Sequence, residues 1–245
     1  MTNQLARLGA FRFTLLAALA ILTPRAGTAQ ATSYQVIRSF RGDPDGAQPM
    51  GAVVIGKDGA LYGTTELGGT SKTGTVFKLA PVTATSWKET VLHSFTGPPD
   101  GLYPQATLAF GEGGLYGTTR GGGTGGGTIF EMAPPSAAGG AWTETVLYAF
   151  VYGGFGSHTQ DVIPNGEVLI GPRGTIYATT QGTGTGPDGL VGVGTAVALA
   201  PPATPGGDWT EDILYTFGFN PGYFPPRGRS IRGRIVVRHG HLRRR

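Results

Sequence analysis

The chain lacks cysteine altogether and has few charged residues, which make up 14% of its 245 positions. Without cysteine, neither a disulfide framework nor thiol chemistry is available, a composition compatible with an exported protein. No segment after the first 31 residues carries apolar side chains at a sustained helical period. The longest apolar run, residues 13–22, is too short for a bilayer span of about 20 residues, so we expect no transmembrane helix once the leader is removed.

The N-terminus has the pattern of a secretory signal peptide. Arg7 and Arg12 precede the apolar run, and Ala29-Gln30-Ala31 offers the small residues that signal peptidase requires. We therefore assign residues 1–31 to a signal peptide and expect a mature chain beginning at Gln30 or Thr32. The expected location is extracytoplasmic: secreted, periplasmic or at the cell surface.

The net charge of +4 hides two oppositely charged parts. Eight of the 19 basic residues are arginines after position 226 and three lie in or beside the leader, which leaves eight basic residues against all 15 acidic ones. Nucleic-acid binding needs a basic surface. Because the body of the chain is acidic, we expect no nucleic-acid partner.

What the chain does have is a repeat with three motifs in fixed order. Each copy carries Leu-Tyr-Gly-Thr-Thr or a variant, then Gly-Thr with an apolar run to Ala-Pro, then Trp-x-Glu and a closing Phe. The closing residues are Phe40, Phe95, Phe150 and Phe217. They are separated by 55, 55 and 67 residues, so the whole units span about 41–95, 96–150 and 151–217. A period of this length indicates stacked units that share a core.

Each unit contains four short runs of β-branched and aromatic residues separated by Gly, Pro and Asp. In the first unit these predicted strands are 52–55, 61–65, 75–79 and 89–95. Four antiparallel strands per unit are typical of a β-propeller blade; a β-sandwich pair or a β-solenoid is the alternative. The predicted fold is therefore all-β: a β-propeller-like array of four-stranded blades, three whole units plus partial ends, over residues 32–224.

The three motifs together resemble the GloVer tandem repeat of exported bacterial proteins, which are often described as choice-of-anchor proteins. The resemblance covers about Tyr34 to Phe217. It implies an extracytoplasmic, propeller-like repeat protein and carries no catalytic residue across. The third unit departs from the pattern: Ala178 replaces Gly, Ala198 replaces Lys or Glu, and no Asp-Gly follows Phe150.

The variable loops indicate a binding face. Because strands alternate in direction, the loop after the second strand and the loop after the fourth open on the same side of the array. Ten of the twelve residues that lengthen the third unit fall in these two loops, and insertions on one face often mark the binding surface of repeat proteins, although loops also tolerate insertion anywhere. The candidate binding residues on this loop face are Asp45, Glu66, Asp100, Arg120 and Asp188.

Two of these residues lie in Asp-Gly turns, Asp45-Gly46 and Asp100-Gly101. A calcium loop of the EF-hand type needs more carboxylates and a distal Glu, so tight turns are expected here instead. His239 and His241 supply only two ligands within an Arg-rich tail, which make a weak metal site. The sequence predicts no metal site, no cofactor and no catalytic set, and the Trp-x-Glu pairs are interpreted as structural.

Two functions remain open. The first is a non-catalytic exported protein that binds a polysaccharide or another envelope component. The alternative is a β-propeller enzyme, a lyase or glycoside hydrolase acting on a polymer, which spatial clustering of Glu66, Asp100, Glu112 or Asp188 would favour.

The end of the chain predicts an open or incomplete ring. Propellers have at least four blades, and the fourth unit begins at residues 235–242 before three arginines replace its expected motif. The Arg-rich segment 225–245 is expected to be a poorly ordered tail that reflects a truncation or a frameshift. Open strand edges would then permit self-association.

Overall fold

Each of the three sequence repeats folds as an antiparallel sheet in the computed structural model, which describes residues 35–137, 139–151, 163–182 and 192–218. The chain divides into two compact units, Met1–Gln35 and Val36–Arg245, and the strands all lie in the second. The predicted signal peptide, Asp188 and the tail 225–245 lie outside the described residues. In the described ranges no helix is long and apolar enough to cross a membrane.

The strands follow the repeat closely. The first sheet contains β1 (Val54–Ile55), β2 (Leu61–Thr65), β3 (Thr75–Pro81) and β4 (Trp87–Ser94), in that order. The second contains β6 (Ala109–Phe110), β7 (Leu115–Thr119), β9 (Gly125–Ala133) and β10 (Thr143–Val151), while β5 (Gly101–Leu102) pairs with β8 (Gly121–Gly122) beside it. The third contains β11 (Ile163–Pro164), β12 (Leu169–Ile170), β13 (Ile176–Gln181), β14 (Gly192–Ala200) and β15 (Thr210–Gly218), with a 3-10 turn at Pro172–Gly174.

The all-β prediction is therefore confirmed, and the predicted strands of the first unit recur within a few residues. The first strand is shorter than predicted, because Ala52 leaves the sheet and its N–H donates to Thr107 Oγ1 at 3.1 Å. Consecutive residues of β3 are buried, as Thr75, Val76 and Phe77 illustrate. Both faces of this strand are covered, which explains why its sequence does not alternate between apolar and polar residues.

The closing residues Phe40, Phe95 and Phe150 pack against the unit that follows each of them. Phe95 and Phe130 meet edge to face with ring centroids 5.1 Å apart, and Phe40 and Phe77 are 4.8 Å apart. Phe95 lies in a core cluster between the first two sheets, and Phe150 in a second cluster between the second and third. Within the described ranges, neither cluster joins the third sheet to the first, and no closed ring is formed.

Paired threonines connect strands and units. The second Thr of each Thr-Thr motif shares a buried hydrogen bond with the Thr of the Gly-Thr motif, as in Thr119 and Thr128 at 2.8 Å. The same bond joins Thr65 to Thr75 and Thr180 to Thr195. The first Thr reaches the next unit instead: the hydroxyl of Thr64 donates to Ala106 O at 3.1 Å. One dipeptide thus stabilises both the sheet and its contact with a neighbour.

The outermost strand of each sheet contains a β-bulge at the same repeat position. Val76 and Phe77 pair with His93 and Val91, so Leu92 is the extra residue in β4. The register shifts in β10 and β15 leave Leu147 and Leu214 in the same role. A bulge bends its strand and changes the direction of the side chains around it. We therefore expect the side chain after each leucine to point in a direction that regular strand pairing would not give.

Candidate functional site

The two loops expected to share a face are hydrogen-bonded to each other in every unit. In the first unit Ala47 pairs with Leu67, with N–H to O distances of 2.7 and 3.0 Å. In the second, Gly101 and Leu102 pair with Gly122 and Gly121. In the third, β11 pairs with the end of β13. The loop after one fourth strand is therefore joined to the loop after the following second strand.

Two exposed residues on this surface have a left-handed backbone at equivalent positions. Gln48 has φ 57° and Tyr103 has φ 60°, and each precedes a proline. Positive φ is uncommon for residues other than glycine. The carbonyls of Gln48 and Tyr103 accept hydrogen bonds from the N–H groups of Glu66 and Arg120, at 2.9 and 3.2 Å. Tyr103 is 36% exposed, so an aromatic ring is held at the surface by its backbone.

Two of the predicted binding residues, Glu66 and Arg120, lie on these paired loops. Arg120 is exposed and Glu66 is half-buried, and the Gln105 amide donates to Glu66 Oε1 at 2.7 Å across two units. We define the loop face as Gln48, Glu66, Tyr103, Gln105 and Arg120. The sequence did not single out Tyr103 or Gln105. The signal that could have identified them is their position in or beside the loop after the fourth strand, which is longer in the third unit.

Asp45 and Asp100, also predicted on this face, turn instead toward the neighbouring outer strand. Asp45 forms an ion pair with Arg38, and Asp100 accepts from His93 Nε2 at 3.1 Å. Each belongs to a group of three side chains that recurs with the repeat. The group contains the residue two before a closing Phe, the Asp five after it, and the Glu of the next Trp-x-Glu.

The first of these interface groups is Arg38, Asp45 and Glu89. The Arg38 guanidinium forms ion pairs with both carboxylates. The Glu89 side chain is only 6% exposed. Burial raises the pKa of Glu89, and the Arg38 charge opposes this shift without cancelling it. A cation that precedes the first whole unit therefore lies between two carboxylates of that unit.

The second interface group is His93, Asp100 and Glu144, one ligand-type atom of each lying within 4.8 Å of the others. Burial raises the pKa of Glu144 to about 7; the Asp100 charge adds to the shift, and His93 opposes it. Burial also acts to raise the pKa of Asp100, but hydrogen bonds from His93, Thr96 and Gly101 outweigh it and lower that pKa. Two neighbouring carboxylates thus have pKa values shifted in opposite directions.

At the third interface Tyr148 takes the place of Arg38 and His93. Its hydroxyl donates to Glu211 Oε2 at 2.8 Å. Burial raises the pKa of Glu211, while this hydrogen bond acts to lower it. Burial, followed by the nearby Glu211, raises the pKa of Tyr148. The glutamate at this repeat position therefore has a different neighbour at each interface: an arginine, a histidine and a tyrosine.

These interface groups do not appear as a sequence motif, because their members lie far apart in the chain. Glu89 follows Arg38 by 51 residues, and Glu144 follows His93 by the same number. Aligning the units on their closing Phe would have revealed the spacing. The structural interpretation of Trp-x-Glu agrees with the packing: Trp142 contacts Tyr62 of the preceding unit, with centroids 5.9 Å apart, and Trp209 packs against the second core cluster.

A further depression, the hairpin cleft, lies at the opposite ends of the first two sheets. It has a volume of about 430 Å³ and is lined by Tyr62, Lys78, Asp58 and Trp142 among others. Lys78 Nζ is 2.7 Å from Asp58 Oδ2, and this hydrogen-bonded pair lowers the pKa of Asp58. The Tyr62 hydroxyl also donates to Asp58 Oδ2, at 2.9 Å, so these polar groups of the cleft bond to one another.

The carboxylates named for an enzymatic alternative do not form one group. Glu66 is bonded to Gln105, whereas Asp100 is bonded to His93 and Thr96. Glu112 precedes β7, and so lies at the other end of the second sheet from Arg120, which follows it. Asp188 lies outside the described residues. The carboxylate neighbour that the structure gives Asp100 is instead Glu144.

Comparison with known proteins gives one family. The family described as Gloeobacter/Verrucomicrobia repeat matches residues 22–231. This match confirms the resemblance drawn from the motifs and extends beyond the segment over which they are visible. No curated protein matches the chain.

Proposed function

We propose that this chain, which belongs to the Gloeobacter/Verrucomicrobia repeat family, is an exported, non-catalytic protein that binds a polysaccharide through its loop face. The observation that carries the proposal is the exposed Tyr103, whose carbonyl accepts from the Arg120 N–H and which lies two residues before Gln105, the partner of Glu66 in the preceding unit. An aromatic face flanked by hydrogen-bonding side chains suits a sugar ring. A polymer is the expected ligand because the loop pairing repeats from unit to unit.

A glycan array with the purified protein tests this function. We expect binding to envelope or extracellular polysaccharides that falls at least tenfold in Tyr103→Ala and Arg120→Ala. Matched controls lie at the other ends of the sheets: Phe110→Ala removes an exposed aromatic ring and Lys57→Ala an exposed cation. Equal losses in the controls, or no glycan binding by the natural chain, would reject the loop face as the site.

The fold proposed for this function is an open, propeller-like array in which each sheet is a blade. The support is the order of strands within each sheet and the core clusters that lie between successive sheets. A small-angle scattering profile distinguishes an open arc from a closed disc. A profile that fits a compact monomeric disc would contradict the open arrangement.

Export is proposed from the N-terminal pattern, and expression of the full-length chain in a bacterial host tests it. We expect protein outside the cytoplasm with its first residue at Gln30 or Thr32. Recovery of the uncleaved chain from the cytosol would overturn the proposed location.

Self-association is the proposed second interaction. The outer strand β15 pairs only with β14 in the described structure, and its Leu214, Tyr215 and Phe217 are 46–60% exposed. Equivalent residues of the first two units, Phe95 and Phe150, are buried by the next unit. Sedimentation velocity should show concentration-dependent dimers that Tyr215→Ser with Phe217→Ser reduces. A monomer at every concentration would contradict this proposal.

The enzymatic alternative, a lyase or glycoside hydrolase, is favoured by the opposite pKa shifts of Glu144 and Asp100, since such pairs divide acid and base roles. Against it, the equivalent glutamates of the other interfaces are bound by the chain itself, Glu89 by the Arg38 guanidinium and Glu211 by the Tyr148 hydroxyl. A hydrolysis and elimination screen decides between the two. Turnover that Glu144→Gln abolishes would replace the binding function by the enzymatic one.

A further inference from the structure

We propose that His93, Asp100 and Glu144 bind one divalent transition-metal ion, with Zn²⁺ as the best match to these donors. An imidazole nitrogen with two carboxylates is a donor set typical of zinc, which accepts three protein ligands and a water molecule. The site is distinct from the loop face and does not depend on the glycan-binding proposal.

The geometry fits a single ion. His93 Nε2 and Asp100 Oδ2 are 3.1 Å apart, and the three ligand atoms lie within 4.8 Å of one another. Two ligands at about 2.05 Å from a tetrahedral ion are separated by about 3.3 Å. Closing the site around an ion therefore requires only small side-chain rotations.

The surroundings also fit a ligand. Glu144 Oε1 is fully buried and has no hydrogen-bond partner among the described residues. Asp100 is held in place by the N–H groups of Gly101 at 2.6 Å and Thr96 at 2.9 Å, and such outer hydrogen bonds orient metal ligands. The side chains of His93 and Asp100 remain 23% and 14% exposed, which leaves a route for the ion from solvent.

The equivalent interface of the preceding unit supports a cation at this position. There the Arg38 guanidinium lies between Asp45 and Glu89 and forms an ion pair with each. In the second group the arginine is replaced by the shorter His93, while both carboxylates are retained. A bound cation would take the place that the guanidinium fills one unit earlier.

Binding displaces protons in a defined way. His93 binds the ion through Nε2 as a neutral imidazole with its proton on Nδ1: an Nε2–H tautomer moves its proton to Nδ1 through solvent, and a doubly protonated ring releases one proton to solvent. Any proton on Glu144 leaves to solvent, because carboxylate ligands bind deprotonated. No bond other than those to the metal is formed.

Zinc titration by calorimetry on the untagged, exported chain tests the site. The chain has four histidines, and the His158→Ala, His239→Ala, His241→Ala background leaves His93 alone. In this background we expect one Zn²⁺ per chain, a rise in melting temperature on adding Zn²⁺, and a shift of the single imidazole signal in the NMR spectrum. His93→Arg, which reproduces the first interface, should fold normally and weaken binding at least 100-fold.

Two further variants make the outcome decisive. Glu144→Gln should weaken binding at least tenfold without unfolding the chain, since it retains the shape of the side chain. Arg38→His should add a second ion per chain by creating a copy of the site. Absence of saturable binding in the background protein, equal affinity in His93→Arg and Glu144→Gln, or a stoichiometry that stays at one in Arg38→His would overturn the proposal.

Discussion

At the residue scale, the most regular feature is a glutamate whose pKa is raised by burial at every interface between units. Glu89, Glu144 and Glu211 occupy one repeat position, yet they face an arginine, a histidine and a tyrosine. Burial of an unpaired carboxylate is costly, so each interface requires some compensating group. The threonine pair is the neutral counterpart, because its hydroxyls satisfy each other inside the same sheet.

Thr119→Val tests the worth of that pair. Thr119 Oγ1 bonds to Thr128 Oγ1 and Gly121 O, each at 2.8 Å, and accepts from the Thr128 N–H at 3.1 Å. Removing the hydroxyl leaves buried groups without partners, and we expect a loss of about 1–3 kcal/mol of unfolding free energy by urea titration. Thr143→Val, at an exposed position of β10, is the control and should change stability by less than about 0.5 kcal/mol. Equal effects would contradict the role of the pair.

Glu211→Gln tests the buried carboxylate through its pH dependence. The pKa of Glu211 is raised by burial above its ordinary value of 4.5, so the folded state holds the proton more tightly than the unfolded state does. The stability associated with this group is complete below pH 4.5 and is lost as pH rises through the folded pKa. The variant should therefore match the natural chain near pH 4 and become the more stable of the two towards pH 8.

Urea midpoints measured from pH 4 to pH 8 give this comparison. Tyr148 still has an acceptor in the variant, since the glutamine carbonyl replaces the carboxylate oxygen. Glu167→Gln, at an exposed position, should stay within about 0.5 kcal/mol of the natural chain throughout. A stability difference for Glu211→Gln that shrinks with rising pH would show that the sign is wrong.

At the element scale, the start of each third strand carries a glycine in the left-handed region. Gly127 has φ 88°, and a Cβ there would lie 2.2 Å from the carbonyl oxygen of Thr119. Gly74 and Gly194 occupy the same position, with φ 105° and 154°. The close approach of two strands, and not only the backbone angle, therefore requires glycine in Gly-Thr.

Gly127→Ala separates these two requirements when compared with Gly139→Ala. Gly139 has a similar φ of 81° but nothing within 4 Å of its Cβ position. We expect the Gly139 variant to lose about 1 kcal/mol from backbone strain alone and the Gly127 variant about 3 kcal/mol or more. Chemical denaturation measures both. Similar losses would show that the contact with Thr119 is relieved by movement of the strand.

At the scale of the whole molecule, the hydrophobic core lies at the interfaces between successive units. The two clusters lie between successive sheets, and the closing residues Phe95 and Phe150 are buried in them. Neighbouring units therefore stabilise one another, as expected when each unit is too small to bury its own apolar face.

Phe95→Ala tests this coupling. Its ring is fully buried between the first two sheets, and the deletion should cost about 3–5 kcal/mol. Hydrogen exchange should accelerate in β3 and β9 together, because both strands contact the cavity. Phe110→Ala, whose ring is 46% exposed, should cost about 1 kcal/mol and leave exchange in β9 unchanged. Faster exchange in β3 alone would indicate independent units.

The sequence predicted the strands within each unit, but it did not predict the contacts that join one unit to the next. Hydrophobic runs and turn residues placed β2, β3 and β4 within two residues, because these strands are defined by their own composition. The bulges at Leu92 and Leu147 have no composition of their own and were not predicted. Asp100 was predicted on the loop face, but its partners His93 and Glu144 belong to two different outer strands, a relation that only packing reveals.

Each interface group combines a residue that precedes a closing Phe with carboxylates that follow it. This arrangement determines what recombination does to the interfaces when it adds or removes a unit. Excision of residues 41–95 would join Phe40 to Thr96 and bring Arg38 into register with Asp100 and Glu144. The new interface would then contain an arginine, as the first interface does now, and the second sheet would remain complete. After a loss or duplication of 55 residues, each buried carboxylate therefore still has a partner. The position of the breakpoint decides which side chain that partner is.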